Sequence, residues 1–333
     1  MKTTNLLIMI TAISALAAAP GCDDDDVESA AIEKRGFQFG GGCSGWDCGY
    51  NAAEVNGRSL AELNLSGVKN SSGVKYVGLQ SPLGLSPGWT LTAEGGELVA
   101  VKGGDERRGD ALVGFKLLLE MKLLGLLPLT VPVIITEYHE AEPWALGGAP
   151  LPAYTLVYAD LNNPLVLRGV CNDELLDPLV STVTVLYGER YDEASKTVLA
   201  DQDGWLNIAC AGSALAKLKM MNYGPQADFD GLGNPATPAQ RQATLKMITA
   251  DYCGTGEPFT ENGTPLIWEN ASGTIEPSPL WTAGDVEAVW TDAGALCLDT
   301  PRLGDNVGAL PCALPPCAGL SVSDGEWITV NPA

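Results

Sequence analysis

Nine cysteines punctuate this 333-residue chain, and their placement constrains its fold more than any other feature. Cys22 follows an apolar leader, while Cys43, Cys48, Cys171, Cys210, Cys253, Cys297, Cys312 and Cys317 are spread along the rest. An even set outside the leader, in a chain bound for an oxidising compartment, reads as a disulfide framework. Zinc is the competing use, but zinc spacings want a second close Cys pair or histidines, and the chain has one histidine, His139. Eight cysteines allow about a hundred pairings, so spacing has to decide. Cys43 and Cys48, and likewise Cys312 and Cys317, are each separated by four residues. That is short enough to predict a small local disulfide loop at each place.

The N-terminus sets the compartment. Met1-Lys2 precedes an uncharged, mostly apolar run over residues 6–19, then Pro20-Gly21-Cys22. A basic start, a short apolar stretch and small residues describe a secretory signal. A spanning helix needs about 20 apolar residues, and the run stops short of that. The Gly21-Cys22 junction resembles the lipobox of bacterial lipoproteins, with Ala19 where that pattern prefers leucine. The resemblance implies that Cys22 is lipidated. Ordinary cleavage near Ala17-Ala18-Ala19 is the alternative and would leave a secreted soluble protein. Asp23-Asp24-Asp25-Asp26 and the Gly-rich residues up to Gly42 read as a solvated linker, not a metal site. The expected organisation is therefore a signal peptide (1–21), an acidic linker with a small disulfide loop (22–50), a β-rich body (51–303) and a C-terminal tail with a second disulfide loop (304–333).

Acids outnumber bases 41 to 19, a net charge of −22. This excludes nucleic acid, whose binding depends on Lys and Arg displacing counterions, and an anionic bilayer would repel the chain for the same reason. The expected partner is an unknown envelope or extracellular ligand, with membrane contact through the lipid anchor only.

The body reads as strands with two helices, an α+β, β-rich class of antiparallel sheets stapled by disulfides. Val113, Phe115, Leu117, Leu119, Met121 and Leu123 alternate with more polar neighbours, the period of a half-buried strand. Residues 123–136, with Pro128 and Pro132, read as a turn into a buried strand. Further strands are predicted at 154–158, 165–171, 182–187 and 205–209, and a short helix over 211–221. Thr237-Pro238-Ala239-Gln240 opens a better helix, with a hydroxyl N-cap, proline at the first position and a capping-box glutamine. Leu245, Ile248 and Tyr252 fall on one face of it. Asn262-Gly263 predicts a hairpin turn into 265–269, and residues 291–294 a second turn between 285–290 and 295–298.

The stretch Thr249-Ala250-Asp251-Tyr252-Cys253-Gly254-Thr255-Gly256, with Thr260, Gly263-Thr264-Pro265, Glu287-Ala288-Val289-Trp290 and Gly294-Ala295-Leu296-Cys297-Leu298 after it, resembles the ADYC-domain family of exported bacterial proteins. Tyr154-Thr155-Leu156-Val157-Tyr158, Gly204-Trp205, Ala209-Cys210 and Ala216-Lys217 fit the same pattern, which covers about 99–302. Family members tend to carry a Cys after the lysine matching Lys217 and another nine residues before the Cys of the tetrapeptide. Here those positions are Leu218 and Thr244, as if one disulfide had been lost. The resemblance then implies Cys171–Cys210 and Cys253–Cys297 as the core pairs. It implies no activity and no cofactor.

Motifs for chemistry fail on inspection. Gly84-Leu85-Ser86-Pro87-Gly88 spells a hydrolase elbow, but the oxyanion hole uses the N–H after the serine and Pro87 has none. His139-Glu140 lacks the second histidine of a zincin helix. Asp201-Gln202-Asp203-Gly204 and Asp228-Phe229-Asp230-Gly231 hint at calcium loops but have Gly212 and Ala239 where an EF-hand needs Glu. Asp251 paired with Glu257 or Glu287 would suit a glycosidase. The simpler role is to accept backbone hydrogen bonds at the helix end. Trp205, Trp268, Trp281 and Trp290 suit either core or carbohydrate platforms. The expectation is an exported, lipid-anchored, non-catalytic envelope or surface protein. A secreted glycan hydrolase with paired carboxylates and a calcium-dependent adhesion module are the alternatives.

Overall fold

Period-two burial is plainest at residues 116–121, where Leu117, Leu119 and Met121 are buried while Lys116, Leu118 and Glu120 are half-buried. This strand belongs to a computed structural model that describes residues 52–84, 87–122, 127–171, 182–192, 194–261, 264, 266–275, 286–303 and 310–331. All of them lie in one unit spanning 36–333. Cys22, the acidic run, the Cys43–Cys48 loop, Ser86, Asn262-Gly263 and Trp281 fall outside the described residues.

In chain order the strands are β1 (Glu54–Val55), β2 (Arg58–Ser59), β3 (Glu62–Asn64), β4 (Lys75–Gln80), β5 (Thr90–Glu94), β6 (Glu97–Lys102), β7 (Asp105–Arg107), β8 (Lys116–Met121), β9 (Leu129–Ala141), β10 (Leu151–Asp160) and β11 (Asn163–Gly169). There follow β12 (Thr182–Tyr187), β13 (Arg190–Asp192), β14 (Thr197–Leu199), β15 (Trp205–Cys210), the helices α1 (Ala214–Met220) and α2 (Pro238–Thr249), then β16 (Ile267–Asn270), β17 (Val286–Thr291), β18 (Gly294–Leu298) and β19 (Trp327–Val330). The fold is thus α+β and β-rich, with antiparallel sheets, two short helices and disulfides among the described residues.

The largest sheet runs β3-β15-β12-β10-β9-β8-β4, with β11 added on β10. One of its faces packs Leu117, Leu119, Val133, Ile135, Leu156, Val183, Val185, Leu206 and Ile208 into a core closed by Leu91, Leu98 and Ala100 of the β5-β6-β7 sheet. β10 is buried along nearly its whole length, as expected for a strand covered on both sides. A second core collects Leu186 and Ala209 from the sheet, both helices, and Trp268, Ala288, Trp290 and Trp327 from a four-stranded sheet ordered β16-β19-β17-β18.

Helix α2 starts as its sequence predicts. Thr237 accepts from the Gln240 N–H at 3.2 Å, Gln240 Oε1 accepts from the Thr237 N–H at 2.9 Å, and Pro238 takes the first position. Its environment differs from the expectation of one apolar face. Arg241 through Ile248 are all buried, because the helix lies among β14, β17, β18, β19 and α1. Tyr252 lies beyond the helix end, which the left-handed Ala250 terminates. Residues 310–331, expected as a tail, instead supply β19 between β16 and β17.

The disulfides correct two of the expected pairings. Cys171 is bonded to Cys210, Cys253 to Cys312 and Cys297 to Cys317, in place of Cys253–Cys297 and Cys312–Cys317. Strand alternation explains the first exchange. Cys297 packs with Val289, Cys317 and Ile328, whereas Tyr252, next to Cys253, packs with Ala288, Trp290 and Trp327 on the opposite face of the four-stranded sheet. Backbone stiffness explains the second. Pro315-Pro316 favours an extended polyproline path of about 3.1 Å per residue, so five steps span far more than the roughly 5.5 Å that a disulfide allows between Cα atoms.

Candidate functional site

The seven residues after α2 carry a dense, buried polar network. Ala250 turns the chain with φ 51° and ψ 41°, and the Asp251 N–H donates to Lys246 O at 2.9 Å. Asp251 is fully buried. Its Oδ2 accepts from Lys246 Nζ at 2.5 Å and from the Gly256 N–H at 2.8 Å. Lys246 also donates to Ser195 O (2.8 Å) and Gly254 O (3.3 Å), tying helix, turn and the β13–β14 hairpin to one ammonium.

Tyr252 stacks on Trp290 with ring centroids 5.1 Å apart, and its carbonyl accepts from the Ala295 N–H at 2.9 Å. Its hydroxyl donates to Glu287 Oε1 and accepts from the Arg302 N–H. Burial, reinforced by the Glu287 charge, pushes the phenol well above its ordinary pKa. Arg302 closes the network: Nε reaches Glu287 at 2.9 Å, and the two Nη atoms donate to Met247 O and Ile248 O. A guanidinium on the last carbonyls of α2 both satisfies and neutralises that helix end.

The glycines are steric requirements. Gly254 has φ +67°, and a Cβ there would stand 1.9 Å from Ala293 O in the β17–β18 turn; at Gly256, φ +90°, it would stand 1.9 Å from Ala194 O. Cys253 then fastens this turn to Cys312. The arrangement brings Asp251 and Glu287 into one region but gives each its own buried cation, and Glu257 is exposed. No open acid pair results.

The remaining candidates disperse. His139 is exposed on β9. Asp228 and Asp230 cap their own turn, accepting from the N–H groups of Gly233, Leu232 and Asn234, and the Asn234 side-chain amide, with the Leu232 N–H behind it, holds the Asp230 carboxyl below its usual range. Among the described residues no group of three or more His, Cys, Asp or Glu is placed to hold a metal ion. Trp268 and Trp290 are core, and Trp205 is half-buried beneath the Arg190 guanidinium, 4.0 Å from the ring centroid. Leu218 and Thr244 are fully buried on the two packed helices, and Thr244 Oγ1 accepts from Trp327 Nε1 at 2.8 Å.

Sequence reasoning missed the buried Lys246 and Arg302 side chains of the network after α2 and three buried charges beyond it, Glu189, Arg241 and Lys219. Glu189 pairs with Arg241 at 2.6 Å and accepts from Tyr191; burial raises its carboxyl despite the opposing guanidinium. Lys219 donates to Gly96 O, Thr184 Oγ1 and Val185 O at 2.7–2.9 Å. Among the described residues no carboxylate forms an ion pair with it, and burial, only partly opposed by the Glu97 charge, pulls its pKa down to about 7. Lys219 forms part of the wall of a cavity of about 750 Å³, between the Gly95-Gly96 turn, residues 145–152 and residues 222–231. Its one sequence signal is a lysine set between Leu218 and Met220 in an apolar short helix.

The ADYC domain profile matches residues 109–304, more than half of the chain and close to the span expected from the motifs, so the chain belongs to the ADYC-domain family. No curated protein and no solved structure matches it.

Proposed function

We propose that this member of the ADYC-domain family is an exported, non-catalytic protein, lipid-anchored through Cys22, that presents a disulfide-stapled body to a ligand at the cell envelope. The observation that carries the reading is that every residue type of the signature segment is engaged in an internal contact, with only Asp251 Oδ1 left unpaired. Its aspartate neutralises Lys246, its tyrosine bonds the Glu287–Arg302 pair, its cysteine is bridged to Cys312 and its glycine fits against Ala293. A glycosidase would need two carboxyl groups about 5–9.5 Å apart and open to a sugar. Here the aspartate and the nearby glutamate are consumed as buried counterions. The cavity of about 750 Å³ beside Lys219 falls in the range of small-ligand pockets and is the place in the body for such a ligand.

Metabolic labelling with a fatty acid tests the anchor. Wild type should incorporate label and remain with membranes, and Cys22→Ser should lose both. Absence of label from wild type would overturn the lipoprotein reading.

A further inference from the structure

One end of the large sheet exposes an apolar cluster in a chain otherwise dominated by acid. β9 begins there at Leu129, β8 ends there at Met121 in register with Leu129, and β10 ends there at Asp160. Leu127 and Leu165 are 86% and 94% exposed, and Leu129, Leu161, Val166 and Leu167 are exposed beside them. β11 pairs with β10 alone among the described strands, and each of its residues from Asn163 to Arg168 is exposed. Soluble proteins avoid an open edge strand carrying consecutive apolar residues, because it invites association. Such an edge marks a surface that is covered in use.

Two further observations indicate the cover. The Glu54 N–H donates to Val170 O at 2.6 Å, and the Leu161 N–H donates to Asn56 Oδ1 at 3.1 Å. Residues 54–56, near the N-terminal edge of the body, therefore lie alongside this hairpin. The charge here also departs from the whole. Lys122 is exposed and its carbonyl accepts from Arg58, while Arg168 balances Asp160 at 2.6 Å. The net −22 of the chain repels an anionic surface, but at this end Lys122, Arg58 and Arg168 stand against Glu54, Glu120 and Asp160, so the charge is close to balanced and this is the orientation that minimises repulsion.

We propose that the β10–β11 hairpin, with Leu127 and Leu129, is a foot that rests on the phospholipid bilayer, its leucines entering the boundary between headgroups and acyl chains. Shallow insertion of this kind scales with buried apolar area and is helped by nearby Lys and Arg. The proposal rests on the anchored reading for its orientation, since a tether keeps the foot at high local concentration over the membrane.

The test uses the mature chain from position 22, exported behind a leader cleaved without acylation and carrying Cys22→Ser. Flotation is measured with vesicles of phosphatidylcholine alone and of phosphatidylcholine mixed with phosphatidylglycerol. The chain should float with both, and Leu165→Ser with Leu167→Ser should weaken partitioning by about tenfold or more. The melting temperature should not move, because both side chains are exposed. No flotation, or flotation indifferent to the two substitutions, would overturn the proposal. So would a solution dimer that the substitutions dissociate, since the foot would then be a self-association surface. If fatty-acid labelling fails while leucine-dependent flotation persists, the anchor falls and the foot stands; the reverse result removes only the foot.

Discussion

Gly254→Ala separates a glycine needed for its backbone angle from one needed for space. Two costs apply at this position. A non-glycine residue in the left-handed region costs about 1–2 kcal/mol, and Gly254 sits at φ +67°. The added methyl would also lie 1.9 Å from Ala293 O. That neighbour is backbone, so relief requires the β17–β18 turn to move. Movement would break the bond from the Ala295 N–H to Tyr252 O and loosen Tyr252 on Trp290. Overpacking costs about 1–3 kcal/mol and a lost hydrogen bond about 1 kcal/mol, giving a total of about 3–6 kcal/mol. Gly57→Ala is the control, with φ +72° and nothing within 4 Å of the added carbon; it should cost only the backbone term, about 1–2 kcal/mol. Urea unfolding followed by tryptophan fluorescence, with disulfides intact, reads both variants through the midpoint at constant slope. Equal losses at the two positions would refute the steric argument and with it the tight apposition of this segment on the turn.

Asp251→Asn strands the buried Lys246 ammonium and should cost about 3–5 kcal/mol in the same assay, whereas Asp251→Leu combined with Lys246→Met should recover part of that loss. Lys219 gives a pH signature. Its folded-state pKa of about 7 lies below the ordinary 10.5, so between these values the unfolded chain binds a proton that the folded chain does not. Stability should rise with pH from about 7 towards 10, and Lys219→Met should flatten that rise in urea titrations across the window. Glu189 works in the opposite sense. With its folded-state pKa raised, its contribution is fully present below about pH 4.3 and is lost as pH climbs through the raised value, a slope that Glu189→Gln should remove. Replacing Cys253 and Cys312 by alanine opens a loop of 59 residues and should cost about 4 kcal/mol, against about 3 kcal/mol for the 20-residue Cys297–Cys317 loop; denaturant midpoints should rank them in that order.

Where local pattern and burial agree, the sequence was readable. β8 shows its alternation, β12 has the bounds its Val-Thr-Val run suggests, and the Thr237–Gln240 capping box is formed as spelled. The region before residue 109 was not readable, because β1, β2, β3 and β7 are two or three residues long, too short for a period to emerge, and β6 buries three residues in a row instead of alternating. The buried charges were hidden for another reason. Nothing in the local sequence marks Arg241, Lys246 or Lys219 as buried, and only the packing of the two helices against strands from distant parts of the chain gives them Glu189, Asp251 and backbone carbonyls as partners. Cysteine pairing failed in the same way. Close spacing favoured Cys312 with Cys317, but the stiff Pro315-Pro316 path between them and the packing of Cys297 and Cys317 together on one face of the four-stranded sheet decided otherwise. The signature tetrapeptide was visible as a motif, while its role as a turn held by Lys246, Arg302 and Ala293 depended on those long-range neighbours.

Thiol state at the signature turn tests the account most directly. The protein is taken from the cells that make it, alkylated before unfolding, digested without reductant and its crosslinked peptides identified by mass spectrometry. We expect Cys253 joined to Cys312, Cys297 to Cys317 and Cys171 to Cys210, with no alkyl group on any of the six. An alkylated Cys253, or a Cys253–Cys297 peptide, would contradict the claim that this segment is a structural clamp.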